Sequence, residues 1–186
     1  ALENYSWSRG TDRLIEVANE LRSMGESNCI FIVAGNMNLN SNQSKSLGLT
    51  NKKNCLEDLV KLKGLQDYFV FLGPVANPET ILKSSDILIS LTRRVGPWGR
   101  SIIEAMSAGL PVLASGSNSG FVNNASNGIF VKEYHPKKVA QEILKIYVNK
   151  NNYTKMSKEA IKYINTLCDS RMNVNKILKF WKKILN

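Results

Sequence analysis

The sequence predicts an α/β protein built on a Rossmann-like, doubly wound parallel sheet. Two observations carry that prediction. Short, almost continuously apolar runs such as Cys29-Ile30-Phe31-Ile32-Val33-Ala34-Gly35 have strand length, and strands buried on both faces are apolar throughout rather than alternating. Between them lie stretches with helical spacing, and four strand-helix alternations succeed one another before three helices close the chain.

At 186 residues, with 43% hydrophobic and 22% charged side chains, the chain has the size and composition of one domain with helices on both faces of a sheet. It opens abruptly at Ala1-Leu2-Glu3-Asn4, without the strand that usually begins such a sheet, so a piece of a longer protein is expected. No apolar run approaches the roughly 20 residues that span a bilayer. Cys29, Cys55 and Cys168 lie far apart, without CxxC or Cys/His spacing. They predict free thiols in a reducing cytosol rather than a disulfide framework or zinc site. The net charge of +10 calls for an acidic partner, a nucleotide diphosphate or an anionic lipid. Because the lysines are spread over helices and Asn/Lys loops rather than gathered beside aromatics, a nucleic-acid groove is not expected.

In chain order, Asn4 to Gly25 reads as a polar loop followed by a helix with Leu14, Val17, Ala18 and Leu21 on one face. Immediately before it, Ser8-Arg9-Gly10-Thr11 aims the Arg9 cation toward the helix start. After the run that ends at Gly35, Asn36 to Asn54 is rich in Asn, Ser and Lys and reads as a loop. A helix over Leu56–Leu62 leads to a strand over Tyr68 to Gly73. Asn77 reads as an N-cap, with Pro78 at the first helical position. The next strand starts at Asp86. Further on, a Gly/Ser/Asn-rich loop over Ser115 to Asn127 precedes a short strand at Gly128 to Val131. His135, just before Pro136, reads as a cap or loop residue. Val139, Ile143, Ile146 and Tyr147 mark the first of the three closing helices, and Met156, Ala160 and Tyr163 the second. The last, at about 172–185, surrounds Ile177, Trp181, Ile184 and Leu185 with Lys176, Lys179, Lys182 and Lys183. That basic amphipathic end suits either a partner domain or peripheral contact with an anionic membrane.

The stretch from Ser90 to Ser115 is the candidate site. It reads as a strand end, a basic glycine-containing loop, a helix from Arg100 to Ser107, a Gly-Leu-Pro break and a strand from Val112. Ligands of open α/β sheets sit where such loops enter helix N-termini. The N–H groups of Arg100, Ser101 and Ile102 are expected to be free at an electropositive helix start, and Gly99 lets the backbone approach a phosphate. One turn in, the Glu104 carboxylate suits a vicinal diol such as a ribose. The same residues are also compatible with an ordinary helix, in which Ile102, Ile103 and Met106 are core and Glu104 is a solvated acid.

The residues PWGRSIIEAMSAGLPVLAS resemble the signature of the family 4 glycosyltransferases, in which two glutamates are separated by seven residues. Trp98 stands at the aromatic position, and Gly99, Glu104, Ala105, Met106, Gly109, Pro111 and Val112 match. The first glutamate is replaced by Gly96. Arg9-Gly10 resembles the Lys-Gly end of the family's diphosphate-gripping element, with Asn4 in the place of the other cation and Arg93, Arg94 or Arg100 as candidate substitutes. The passage GLQDYFVFLGPV resembles the base-contacting element, which implies Gly73, Pro74 and Val75 as a base pocket. The loop at Ser119-Gly120 and Asn123 matches the family poorly.

The resemblance implies the C-terminal, donor-binding half of a GT-B enzyme that transfers a sugar with retention from a nucleotide diphosphate sugar. The acceptor, a sugar, lipid-linked glycan or protein, would be held by an N-terminal domain of the same protein. The last helix would cross to that domain. Arg9 and Glu104 are implied as catalytic, with Gly73, Pro74, Val75, Gly99, Arg100, Ser101, Ile102 and Glu104 holding the donor. No Asp-x-Asp occurs, so neither a metal nor a cofactor beyond the donor substrate is expected. Gly96 and Asn4 leave open a second reading, a glycosyltransferase-like subunit that binds nucleotide or protein without turnover.

Overall fold

The computed structural model describes residues 1–49, 55–93, 96 and 99–185. Helix α1 (Arg13–Ser23) turns Leu14, Ile15, Val17, Ala18 and Leu21 inward, one turn apart, as the spacing predicts. Strand β1 (Phe31–Ala34) follows. The Asn/Ser/Lys-rich segment, expected to be a loop, contains the short helix α2 (Ser41–Ser46). A capping box starts it: the Asn40 side chain accepts the Gln43 N–H at 2.9 Å while Gln43 Oε1 accepts the Asn40 N–H at 2.8 Å. The polar composition hides this helix because side chains, not an apolar stripe, define its start.

Helix α3 (Leu56–Leu62), strand β2 (Phe69–Gly73) and helix α4 (Pro78–Lys83) lie close to the expected positions. Asn77 occupies the N-cap position of α4, but its side chain makes no capping hydrogen bond. Strand β3 (Leu88–Leu91), helix α5 (Arg100–Ser107), strand β4 (Val112–Ser115) and strand β5 (Gly128–Val131) then succeed one another. The chain ends in α6 (Pro136–Val148), α7 (Lys150–Cys168) and α8 (Ser170–Leu185). His135 is the N-cap residue of α6, likewise without a capping hydrogen bond.

All strand pairs are parallel, β1 with β2 and β3 with β4 with β5. The opening residues, read from the sequence as a polar loop, extend alongside β1. The Ala34 N–H donates to the Ala1 carbonyl, the Glu3 N–H to that of Ala34 and the Tyr5 N–H to that of Asn36, with Leu2 bridged in parallel to Ala34. A short strand-like segment thus occupies the place that the sequence left empty. Its alternation was too brief, and too polar after Leu2, to register.

The opening segment's far end meets the other sheet. The Arg93 N–H donates to the Ser8 carbonyl at 2.8 Å, and Gly10 lies against the Leu91 carbonyl, where a Cβ would come within 2.0 Å. Across the molecule the order is therefore β2, β1, opening segment, β3, β4, β5. In chain order these are third, second, first, fourth, fifth and sixth, the order of dinucleotide-binding folds.

Two cores cover the two faces. Along β4, Leu113 faces the core built by α1, α3 and α6, while Val112 and Ala114 face the core built by α4, α5 and α7. This alternation on an apolar strand is what burial on both faces requires. Helix α1 packs on α6, and α5 packs on α7. Helix α8 differs from the rest, since none of its residues is buried. Ile177, Phe180, Trp181 and Ile184 are all at least half exposed.

Candidate functional site

Because every strand runs the same way, the loops that follow the opening segment, β1, β2, β3, β4 and β5 leave from one rim. The order reverses between the opening segment and β3, and a crevice forms at such a switch point. Arg9, Gly73-Pro74-Val75 and the start of α5 all lie on loops at this rim. Three strand spacings separate β2 from β3, about 14 Å at the usual inter-strand distance.

Arg9 is half exposed and its Nη1 lies 3.5 Å from Glu3 Oε2. Glu3 is largely buried and also accepts a hydrogen bond from the Thr11 hydroxyl at 2.9 Å. Burial pushes the Glu3 carboxyl above its ordinary value, outweighing the Thr11 hydrogen bond and the Arg9 charge. Asn4, in the second cation's place, uses its Oδ1 to accept the Asn36 N–H at 2.8 Å.

Arg93, one candidate substitute cation, is already engaged by the protein itself. Its guanidinium grips Asp12 through two hydrogen bonds, at 2.9 and 2.5 Å, and donates to the Trp7 carbonyl at 2.6 Å. Asp12 is buried at 5% exposure and Arg93 is partly buried at 15%, and the Trp7 ring lies 5.0 Å from the guanidinium carbon. The Asp12 hydrogen bonds raise the Arg93 pKa, so the guanidinium stays fully charged. Nearby, Tyr5 is pushed up to about 12 by burial and by the Asp12 charge.

Arg13 makes the reverse connection. From the first turn of α1 its Nη1 donates to the carbonyls of Leu91 and Thr92 at 3.2 and 3.0 Å, and its guanidinium stacks 4.0 Å over the Tyr134 ring. The Tyr134 hydroxyl donates to Glu16 Oε2 at 2.6 Å, tying in the loop after β5. Nothing in the local spacing marks Asp12, Arg13 or Tyr134, because their partners lie as many as 121 residues away. The only sequence signal is the crowding of charges around Arg9-Gly10.

Helix α5 begins at Arg100, with Gly99 at the N-cap in a conformation (φ +136°) that suits glycine. No described atom lies within 4 Å of where a Gly99 Cβ would sit, so the backbone there is open to an incoming group. The Ile102 N–H, expected to be free, turns back to the Gly99 carbonyl at 3.2 Å. Among the described residues, the N–H groups of Arg100 and Ser101 meet no acceptor. Glu104 is half-buried, and its carboxylate has no hydrogen-bond or ion-pair partner among the described residues. Ile102 and Met106 on the same helix are core, as the ordinary reading of the helix holds. The core side chains and Glu104 thus lie on different faces of one helix, with Ile103 only partly buried against the core. Gly96, where the resemblance expects a carboxylate, is buried. Arg94 and Trp98 lie outside the described residues.

Gly73 ends β2 with φ +65° and its carbonyl accepts the Gly35 N–H at 2.7 Å. Beyond it, Pro74 is exposed and Val75 half-buried. At the neighbouring end of β4 the Ser115 hydroxyl is buried without a partner among the described residues. Composition did not point to it. The three cysteines are free thiols.

A dinucleotide-type strand order, a cationic loop at its switch point and an open helix start belong to the doubly wound α/β class of proteins. The chain belongs to the glycosyl transferases group 1 family, whose model matches residues 2–163. It is 24% identical over 162 residues to the mannosylfructose-phosphate synthase of Agrobacterium fabrum, covering 85% of this chain and 34% of that protein. Among solved structures, Anabaena HepE in complex with UDP-glucose superposes with a TM-score of 0.73 at 18% identity, over 96% of this chain and 47% of that one. A glycosyltransferase from Rickettsia africae gives a TM-score of 0.77 at 19% identity, over 100% and 47%. The chain thus spans a third to a half of the length of these relatives. At such identities the superpositions establish the fold, a Rossmann-like half of a GT-B architecture. Among the described residues, no helix is long and apolar enough to cross a membrane.

Proposed function

We propose that this chain is the donor-binding domain of a retaining, metal-independent glycosyltransferase that uses a nucleotide diphosphate sugar. The observation that carries the reading is the rim itself: Arg9 and the amides of Arg100 and Ser101 offer positive charge, and the Glu104 carboxylate follows one turn later, the amides and carboxylate meeting no partner among the described residues. During transfer the bond from the anomeric carbon to the diphosphate oxygen breaks, a bond to the acceptor oxygen forms, and negative charge grows on the leaving diphosphate. Preorganised donors at the rim stabilise that charge without moving. Glu104 accepts hydrogen bonds from the ribose diol, and Gly73, Pro74 and Val75 present backbone to the base. Ile102 contributes through the helix start it completes. That Anabaena HepE is a complex with UDP-glucose supports a donor of this class.

In the same reading the acceptor, whether a sugar, a lipid-linked glycan or a protein, lies on an N-terminal domain in the cytoplasm. Helix α8 lays its exposed Ile177, Trp181 and Ile184 on that domain, while its lysines face solvent or an anionic membrane surface. Co-sedimentation with anionic vesicles separates the two surroundings.

Titration calorimetry with UDP, GDP and ADP tests the site. Glu104→Ala is expected to weaken the tightest of them by about 1.5 to 3 kcal/mol, the range for a hydrogen bond to a charged group. Unchanged affinity for all three removes Glu104 from the pocket. The buried Gly96 favours a second reading, a nucleotide-binding subunit without turnover. Diphosphate binding without donor hydrolysis or transfer by the full-length protein distinguishes it.

A further inference from the structure

We infer that Asp12 and Arg93 form a positioning clamp that presets the distance between the Arg9 loop and the end of β3, and that Arg93 is not itself a phosphate ligand. The inference rests on the donor-domain reading above and assigns a role that neither residue's sequence context suggests. Arg93 is the second residue after β3, at the root of the loop that delivers the start of α5. Its two bonds to Asp12 and one to the Trp7 carbonyl, together with its own N–H on Ser8, attach that root to the loop that carries Arg9. Arg13 returns the connection by donating to Leu91 and Thr92. On the other side, the Thr92 hydroxyl donates to the Ser115 carbonyl at 2.9 Å and holds the end of β3 against β4.

The two loops are thus joined by arginines exchanged in both directions across the switch point. A guanidinium has five N–H donors in a rigid fork, and both carboxylate oxygens of Asp12 already lie on the fork of Arg93. Three of the five are taken, two by Asp12 and one by the Trp7 carbonyl, so a phosphate at Arg93 would meet a guanidinium whose charge is already paired with the buried Asp12. Buried ion pairs add little net stability compared with apolar packing, whereas they specify geometry. The geometry specified here is the spacing of the Arg9 loop from the end of β3, which is set before a ligand enters.

Calorimetry on the full chain with UDP and uridine, or with the GDP or ADP pair if wild type prefers that base, separates the alternatives. Asp12→Asn and Arg93→Ala are each expected to weaken the diphosphate about tenfold and the nucleoside less than about twofold, and the double variant to lose no more than either single one. Arg93→Lys keeps the charge but not the fork, and is expected to behave as Arg93→Ala. Thermal unfolding of each variant accompanies the titrations, and Asp12→Asn and Arg93→Lys carry the test if Arg93→Ala does not fold. Tighter diphosphate binding by Asp12→Asn overturns the inference, since it shows a released Arg93 acting as a ligand. Retained affinity in Arg93→Lys also overturns it, since charge without the fork would then suffice. A lower unfolding midpoint with an unchanged gap between diphosphate and nucleoside reduces the pair to a structural role and also overturns it. If wild type binds no nucleoside diphosphate, the donor-domain reading itself fails, a result distinct from any of these.

Discussion

Charges at the rim compete for partners, and the outcome at single residues decides what is left for a ligand. Arg9 is shared with Glu3 and half exposed, whereas Arg93 is held by Asp12 and by the Trp7 carbonyl. Glu3 is the weaker hold, because its carboxyl is raised by burial. A carboxyl with a folded pKa above its unfolded value binds more protons when folded, so stability is highest below the ordinary value of 4.5 and declines as pH rises through the raised one. Glu3→Gln is therefore expected to remove that decline, seen as a flatter unfolding midpoint across a mildly acidic pH series. The same substitution frees Arg9, and UDP affinity at neutral pH is expected to rise. A fall in affinity would show that Glu3 aims Arg9 rather than competing for it.

Elements reach the rim through close backbone approaches that only particular residues allow. Gly10 combines φ +72° with a Cβ direction that ends 2.0 Å from the Leu91 carbonyl. Gly10→Ala is expected to cost at least about 2 kcal/mol in urea unfolding, since neither strain nor clash can relax without parting the two sheets. Helix α8 gives the opposite expectation. Trp181 is 59% exposed and no residue of the helix is buried. Trp181→Gln in this chain is accordingly expected to change stability by less than about 0.5 kcal/mol. A larger loss would mean that α8 folds back onto α6 or α7. Helices α3 and α5 were legible residue for residue, because their apolar spacing and flanking breakers agree. Helix α2 was not, because side-chain capping within a polar stretch leaves no periodic trace.

At the scale of the whole molecule, alternating apolar runs and helical stripes contained the fold class, and the match over residues 2–163 agrees with the motif around Glu104. The opening segment shows the limit. Five residues with one strong apolar side chain carry no strand signal, yet β1 offers them a ladder of carbonyls and amides on its free edge. Their pairing completes the strand order and with it the switch point.

The sequence by itself determined the class of sheet, the position of the helix that starts at Arg100 and the chemical character of its first turn, because these depend on local spacing and on backbone groups a few residues apart. Only the tertiary structure decided which cations remain at the rim. Arg9, Arg13 and Arg93 look alike in the chain, and what distinguishes them is whether folding brings a buried carboxylate, a carbonyl or open solvent to each guanidinium.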